Sequence, residues 1–233
     1  LSYEGEPLAY ATPVAEASAG QYWEELSLTL LPEHGVSPNR YVFAWTERWN
    51  NMQDNWVKGA MLTAPESPEE KLDILLYPQP LTATTLDYLS LASISSSGDT
   101  TLLCVDPQNG LPFYCQRYAS NLLPMGEPIY VSDEHNNNAF MPQATQLSDG
   151  SWAIVWASLI ADGSMEGVHI QRVHPEGGLM GARRVANRFW DGSQYFFHVT
   201  GVERPVPTAL VSFTTHAPVY DDVSTVFRFV PLP

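Results

Sequence analysis

Short apolar segments alternate with runs of glycine, proline, asparagine, aspartate and serine along the whole chain. Several segments alternate apolar and polar residues, which is typical of strands with one covered face. Residues 151–157 are almost entirely apolar, which is typical of a strand covered on both faces. Because turn residues recur at short intervals, the pattern predicts many short antiparallel strands and an all-β fold.

The strand pattern repeats about every 56 residues, a period typical of stacked or radially arranged units. Arg117, Arg172 and Arg228 lie 55 and 56 positions apart and mark the same point of successive repeats. Each repeat contains up to four predicted strands, named a to d in chain order. We therefore predict one domain over residues 1–233 with four units, approximately at 22–78, 86–133, 140–188 and 196–233.

The last unit has no d strand after its c strand, and the start of the chain carries a matching segment. Residues 5–13 and 126–134 both begin with Gly-Glu-Pro, and the second segment holds the d strand of the second unit. Pairing residues 5–13 with the last unit would remove an exposed sheet edge. The prediction is therefore a four-bladed β-propeller of four-stranded antiparallel blades, closed by the N-terminal strand.

The third unit contains a spaced pattern of aromatic, acidic and glycine residues. Its members are Leu147, Asp149, Gly150, Trp152, Ile154, Trp156, Gly167, Gln171, Arg172, Gly177, Gly181, Val185 and Asn187. This pattern resembles the Leu-x-Asp-Gly-x-Trp-x-Val-x-Trp and Gln-Arg repeats of secreted bacterial β-propeller repeat proteins. The match is partial in the second unit and faint in the first and fourth. The resemblance implies an exported propeller and assigns no catalytic residue.

The chain is strongly acidic, with 26 Asp and Glu residues against 11 Lys and Arg residues and a formal net charge of −15. Such a surface repels phosphate backbones, which argues against nucleic-acid binding. It is compatible with cation binding, with a basic partner or with solubility alone. The longest apolar stretch, 152–161, is about half the length that a membrane-spanning helix needs, so no membrane span is predicted.

Two features indicate export to an extracellular or periplasmic compartment. The chain begins at Leu1 without a charged and apolar leader, as expected after signal removal, although a trimmed chain would look the same. Cys104 and Cys115 flank a turn that contains Asn109-Gly110, a strong hairpin signal. A cross-strand disulfide would indicate an oxidising compartment; the alternative is two buried thiols in a reduced protein.

The loops of a propeller are divided between two faces. The a–b and c–d turns are short and polar, whereas the b–c and d–a loops are longer and form what we call the long-loop face. Aromatic and acidic residues on long loops of a rigid scaffold are typical of a binding surface. The predicted partner-binding residues are Trp49, Asp54, Trp56, Asp133, His135, Phe189, Trp190, Asp191, Tyr220, Asp221 and Asp222.

Motifs for catalysis or for a metal are absent from the sequence. There is no Gly-x-Ser-x-Gly, His-Glu-x-x-His, Cys-x-x-Cys or glycine-rich phosphate loop, and the six histidines are scattered. No loop has the spacing of a calcium motif. No cofactor is predicted, and an ion held by backbone carbonyls in the central channel stays open.

The prediction for function is a non-enzymatic, exported binding or scaffold module that contacts a protein partner through the long-loop face. The first alternative is a carbohydrate-binding propeller, with tryptophans that stack on sugar rings. The second is a glycoside hydrolase-like enzyme, since a pair of catalytic carboxylates needs to meet only in space.

Overall fold

A computed structural model describes residues 19–31, 40–49, 55–63, 73–82, 90–97, 99–106, 112–132, 139–158, 167–187, 193–217 and 222–233. These residues form strands and turns, and none of them is in a helix. Consequently no helix of this part of the chain is long and apolar enough to cross a membrane.

The strands form four separate antiparallel sheets, arranged as the four blades of a propeller. Blade 1 contains β1 (Gln21–Leu31), β2 (Arg40–Trp49), β3 (Trp56–Thr63) and β4 (Asp73–Pro80). Blade 2 contains β5 (Ser90–Ser97), β6 (Thr100–Asp106), β7 (Tyr114–Tyr118) and β8 (Pro124–Tyr130). Blade 3 contains β9 (Ala139–Gln146), β10 (Trp152–Ser158), β11 (Gly167–Val173) and β12 (Leu179–Val185). Blade 4 contains β13 (Ser193–Val202), β14 (Thr208–Ala217) and β15 (Asp222–Pro231). The predicted all-β, four-bladed propeller fold is confirmed.

The predicted closure by residues 5–13 lies outside the described residues. Within them, blade 4 has three strands, and β15 forms one edge of its sheet. Phe227 on β15 is 69% exposed, and Leu28 on β1 of blade 1 is 54% exposed. Large apolar side chains are therefore exposed on both of the blades that the predicted N-terminal strand would join.

The hydrophobic core lies between consecutive blades rather than within one sheet. One cluster joins blades 1 and 2 through residues such as Val42 and Leu103, a second joins blades 2 and 3, and a third joins blades 3 and 4. The b strand of blade 3 faces two of these clusters, with Trp156 on one side and Val155 on the other. This explains why 151–157 reads as a continuous apolar run.

The glutamine of the Gln-Arg motif supports a distortion of the neighbouring d strand. In blade 3, Gln171 donates from Nε2 to the carbonyls of Arg172, Met180 and Gly181 at 3.0, 2.9 and 3.3 Å. Gln116 makes the same three contacts in blade 2, at 3.0, 3.1 and 3.3 Å. The glycine on each d strand has a positive φ, 68° at Gly126 and 66° at Gly181, which other residues rarely adopt.

The arginine of the same motif ties its blade to the next one. Arg117 Nη1 donates to the carbonyl of Pro175 in blade 3 at 2.8 Å. Arg172 Nη1 likewise donates to the carbonyl of Leu232 in blade 4 at 2.9 Å. The arginine of the motif shared by units two and three therefore connects one blade to the next.

The alignment of Arg228 with these two arginines is wrong. Arg228 is paired with Val211, whose side chain packs on blade 3, and its Nη1 donates back to the carbonyl of Ala186. Arg172, in contrast, points forward to blade 4. Arg117 and Arg172 are 55 positions apart and project from the same side of their c strands. Arg228 follows Arg172 by 56 positions, and this difference of one residue turns its side chain to the opposite side of the strand.

The predicted pairing of the two cysteines is confirmed. Cys104 on β6 and Cys115 on β7 are direct cross-strand partners and form a disulfide, with their Cα atoms 4.0 Å apart. Both residues are fully buried in the cluster between blades 2 and 3. The bond therefore cross-links the b and c strands of blade 2 across an 11-residue separation.

Removal of this bond should destabilise the propeller. For the double substitution Cys104→Ala and Cys115→Ala we expect a loss of about 2 to 3 kcal/mol in the free energy of unfolding, because the unfolded chain regains the entropy of an open loop. Urea titration followed by tryptophan fluorescence measures the loss. Reductant should lower the stability of the wild type and leave the double variant unchanged; equal stability of the two oxidised proteins would contradict the expectation.

Candidate functional site

The structure describes three of the predicted partner-binding residues, all at strand ends on the long-loop face. Trp49 is the last residue of β2 and Asp222 the first residue of β15. Trp56 begins β3, is half-buried and lies opposite Glu47. The others lie outside the described residues: Asp54, Asp133, His135, Phe189, Trp190, Asp191, Tyr220 and Asp221.

The bases of the long loops are clamped in the same way in three blades. In each, a backbone N–H just after the d strand donates to a carbonyl near the start of the c strand. This bond connects the point where the d–a loop begins to the point where the b–c loop ends. The pairs are Leu81 to Val57 at 2.7 Å, Val131 to Phe113 at 3.3 Å, and Ala186 to Val168 at 2.6 Å.

A polar side chain reinforces this clamp in two of the blades. Ser132 Oγ accepts a hydrogen bond from the Phe113 N–H, and Asn187 Oδ1 accepts one from the Val168 N–H, each at 3.0 Å. Asn187 Nδ2 also donates to Gln194 Oε1 of blade 4 at 2.9 Å. Ser132, Asn187 and Gln194 are all buried, and polar groups in such positions need these partners. The strand ends below the long loops are therefore joined by backbone hydrogen bonds in three blades and by polar side chains in two.

The acidic residue next to Trp56 is occupied by a structural ion pair. Glu47 is 6% exposed, and its Oε1 lies 2.8 Å from Lys58 Nζ and accepts a hydrogen bond from Gln21 Nε2 at 3.1 Å. A buried carboxylate with a lysine and an amide partner stabilises the local geometry when both partners remain. Glu47 thus supports the strand ends below the predicted binding loops.

The aspartate of the third unit is likewise structural. Asp149 accepts hydrogen bonds from the Ser151 N–H at 3.2 Å and from Ser151 Oγ at 2.6 Å, and it forms an ion pair with Arg172. Burial by itself raises the pKa of this carboxyl, but the hydrogen bonds from Ser151 and the Arg172 charge outweigh it and hold the pKa below its ordinary value. Asp149 is therefore a charged turn residue rather than a proton donor.

The described histidine side chains have structural contacts. His169 stacks on Trp156 with ring centroids 5.3 Å apart, His198 Nδ1 lies 2.8 Å from Gln143 Oε1, and His174 Nδ1 accepts a hydrogen bond from the Glu176 N–H at 3.0 Å. Within the described ranges, no group of three or more His, Cys, Asp and Glu residues is placed to hold a metal ion.

The described residues also form a cleft that the sequence analysis did not identify. It has a volume of about 350 Å³ and lies between the end of the d strand of blade 1 and the two outer strands of blade 2. We call it the tyrosine cleft. Its lining residues are Pro80, Leu81, Thr82, Tyr114, Gln116, Tyr118, Leu122, Pro124, Pro128 and Tyr130.

Strand periodicity could have indicated this cleft. Tyr114 and Tyr118 are separated by four positions on one strand and therefore share a face, as do Pro124 and Tyr130 on the next. The pairing brings Tyr114 opposite Tyr130 and Tyr118 opposite Pro124. What sequence alone did not show is the register of the two strands, because Gly126 interrupts the regular pairing.

Comparisons with known proteins add a structural likeness. No family model matches the chain, and no curated protein matches it. Among solved structures, the chain is similar to the endo-arabinase from Bacteroides thetaiotaomicron, with 16% sequence identity and a TM-score of 0.48 over 88% of this chain and 74% of the other. At this degree of similarity an activity does not transfer from one protein to the other.

Proposed function

We propose that the protein is an exported, non-enzymatic binding module that contacts a protein partner through its long-loop face. The observation that carries the proposal is the repeated clamp at the loop bases, which holds pairs of long loops on a rigid layer in blades 1, 2 and 3. Variable loops on a rigid scaffold are the usual construction of a binding surface. The loops differ in sequence between blades, which favours one asymmetric partner over a repeated ligand.

Two of the described acidic residues, Glu47 and Asp149, have contacts that differ from those of a catalytic pair. Hydrolysis of a glycosidic bond needs two carboxyl groups that face each other, one of them with a raised pKa. Glu47 is paired with Lys58, and Asp149 has a lowered pKa because of Ser151 and Arg172. These two carboxylates therefore serve the scaffold.

The disulfide supports export. Disulfides persist in secreted and periplasmic proteins and are rare where thiols are kept reduced. The bond between Cys104 and Cys115 is buried inside the core between blades 2 and 3, so reductants reach it poorly in the folded protein. We infer an extracellular or periplasmic location.

A quantitative pull-down from the native source tests the proposed surface. We expect wild-type protein to recover one partner in near-stoichiometric amounts, and the double substitution Trp49→Ala and Trp190→Ala to reduce that recovery at least tenfold, because buried tryptophans dominate interface energies. Leu179→Ala is the matched control, since Leu179 is a 50% exposed apolar residue of β12 away from the long loops.

Circular dichroism should show that each variant retains the β-sheet spectrum of the wild type. Unchanged recovery with the tryptophan variant would reject the long-loop face as the binding surface. Release of reducing sugars from neutral polysaccharides by the wild type would reject a non-enzymatic function.

A further inference from the structure

The tyrosine cleft has the shape and the chemistry of a second binding site, separate from the long loops. It follows β7, from Tyr118 and Pro124 near the short turns to Tyr114 and Tyr130 near the long-loop face. We propose that it binds an extended, proline-containing peptide segment of a partner protein. The proposal concerns a different surface from the one in the proposed function, and the two can fail independently.

The aromatic rings form an open wall and a fixed floor. The rings of Tyr114 and Tyr130 lie 5.9 Å apart at an angle of 53°, and Tyr130 is 61% exposed. Tyr118 is buried, and its hydroxyl donates to the carbonyl of Leu81 in blade 1. This contact fixes the floor of the cleft across the two blades, while the exposed ring of Tyr130 offers a flat apolar surface to a ligand.

The tyrosines of the cleft are not repeated in the next blade. The positions 55 residues later, which occupy the same place in blade 3, are His169, Val173 and Val185. Blade 3 packs as well as blade 2 with these residues, since His169 and Val173 are buried. Blade 3 thus has no tyrosine at these three positions, and in blade 2 the exposed ring of Tyr130 contributes little to the core.

The polar groups of the cleft fit a peptide better than a sugar. A sugar presents many hydroxyl groups and needs several converging polar partners. Here the amide nitrogen of Gln116 is already bonded to three carbonyls of its own blade. The Thr82 hydroxyl has no hydrogen-bond partner in the described part of the chain but is buried, so the exposed polar group of the cleft is the hydroxyl of Tyr130. A polyproline II segment needs mainly aromatic faces and a few donors for its free carbonyls, and tyrosine supplies both.

The charge of the cleft is consistent with this ligand. None of the described residues that line it is charged, although the whole protein has a formal net charge of −15. Burial, together with Tyr130, raises the pKa of Tyr114, so its hydroxyl stays protonated and can donate. The surrounding negative field disfavours acidic ligands, so we expect the peptide to be neutral or basic.

The size of the cleft sets the length of the segment. A five-residue strand such as β7 extends over about 13 Å. A polyproline II helix rises about 3.1 Å per residue, so the cleft accommodates about four residues of it. A decaproline peptide with blocked ends is therefore long enough to cover the whole cleft and serves as the probe.

The test is an NMR titration of protein labelled at tyrosine rings with blocked decaproline, beside a blocked Gly-Ser peptide of equal length. We expect decaproline to shift the Tyr114 and Tyr130 ring signals in a saturable way and the Gly-Ser peptide to leave them in place. Tyr130→Ala should weaken decaproline binding about tenfold or more, since Tyr130 is exposed and its loss leaves the core intact. Leu179 has in blade 3 the position that Pro124 has in blade 2, and Leu179→Ala should leave decaproline binding unchanged.

Two results would overturn the proposal. One is the absence of saturable shifts with decaproline up to millimolar concentration. The other is equal weakening by Tyr130→Ala and Leu179→Ala. Saturable shifts of the same rings with neutral oligosaccharides, without shifts from decaproline, would assign the cleft to a sugar instead. The Trp49→Ala and Trp190→Ala variant should bind decaproline normally, which separates this site from the long-loop face.

Discussion

Gly201→Ala should be the most destabilising single-atom addition in the propeller. Gly201 lies on the inner strand of blade 4, and its N–H donates to Thr145 Oγ1 of blade 3 at 3.0 Å. A Cβ at this position would lie 1.9 Å from the backbone oxygen of Gln146, a group that cannot rotate away. Separation of the two inner strands should cost roughly 3 kcal/mol of unfolding free energy, which chemical denaturation can measure.

Gly178→Ala is the matched control for this substitution. Gly178 has a φ of 91°, but a Cβ there would meet no atom within 4 Å. Only backbone strain should then appear, with a cost of about 1 to 2 kcal/mol. A Gly201→Ala protein as stable as the Gly178→Ala protein would contradict the close approach of blades 3 and 4.

Among single substitutions, Arg172→Met should have the second largest effect on stability. The guanidinium of Arg172 is bonded to Asp149, to Ser151 Oγ at 3.0 Å and to the carbonyl of Leu232 at 2.9 Å, and the residue is 7% exposed. Methionine would fill the space and remove the guanidinium donor from all three acceptors, although Asp149 keeps its hydrogen bonds from Ser151. Because the Asp149 side chain is 38% exposed and can regain water, we expect a loss of about 2 to 3 kcal/mol rather than the full cost of a buried broken pair.

Arg184→Met is the control for Arg172→Met. Arg184 also donates across the same blade junction, to the carbonyl of Pro231 at 3.0 Å, but that contact is exposed. Its loss should lower the free energy of unfolding by less than about 1 kcal/mol. Equal effects of the two substitutions in a urea titration would show that the buried position of Arg172 does not matter.

The strands could be predicted where local pattern and burial agree. The apolar run at 151–157 is observed as β10 (Trp152–Ser158), because this strand lies between two inter-blade clusters. The Asp149-Gly150 turn before it was also identifiable, since Asp149 accepts from Ser151 and Gly150 has a φ of 83°. Local chemistry decides these features, so the sequence shows them directly.

The face on which a strand residue lies could not be predicted reliably. It depends on register, and register is set by tertiary pairing as well as by the local pattern. Arg228 shows this, because one additional residue in the spacing places it toward blade 3. The tyrosine cleft depends on register as well, because Gly126 interrupts the pairing of its two strands. It also requires Tyr118 of blade 2 to meet Leu81 of blade 1, a contact between blades that strand periodicity does not show.

The binding role of the long loops depends on a partner that the sequence does not identify. Their aromatic and acidic residues were chosen by residue type and loop length, and these residues remain predictions. The side-chain contacts below them have a signal that could have been used: Ser132 and Asn187 occupy the same position of blades 2 and 3, and each bonds the adjacent backbone. Thr82 occupies this position in blade 1, but its buried hydroxyl has no hydrogen-bond partner among the described residues. A small polar residue repeated just after each d strand indicates a side chain that bonds the adjacent backbone.

The one-residue offset in blade 4 has a consequence for how such a protein can evolve. Equivalent residues of the c strands of blades 2 and 3 project toward the same neighbouring blade. Recombination between the two coding repeats would therefore keep each side chain on its side of the strand. A crossover that aligned Arg172 with Arg228 would instead exchange the two sides of the strand, and Phe227 would replace a buried glutamine. Exchange of the c strands of blades 3 and 4 at this alignment would therefore place an apolar ring where Gln171 bonds the d strand.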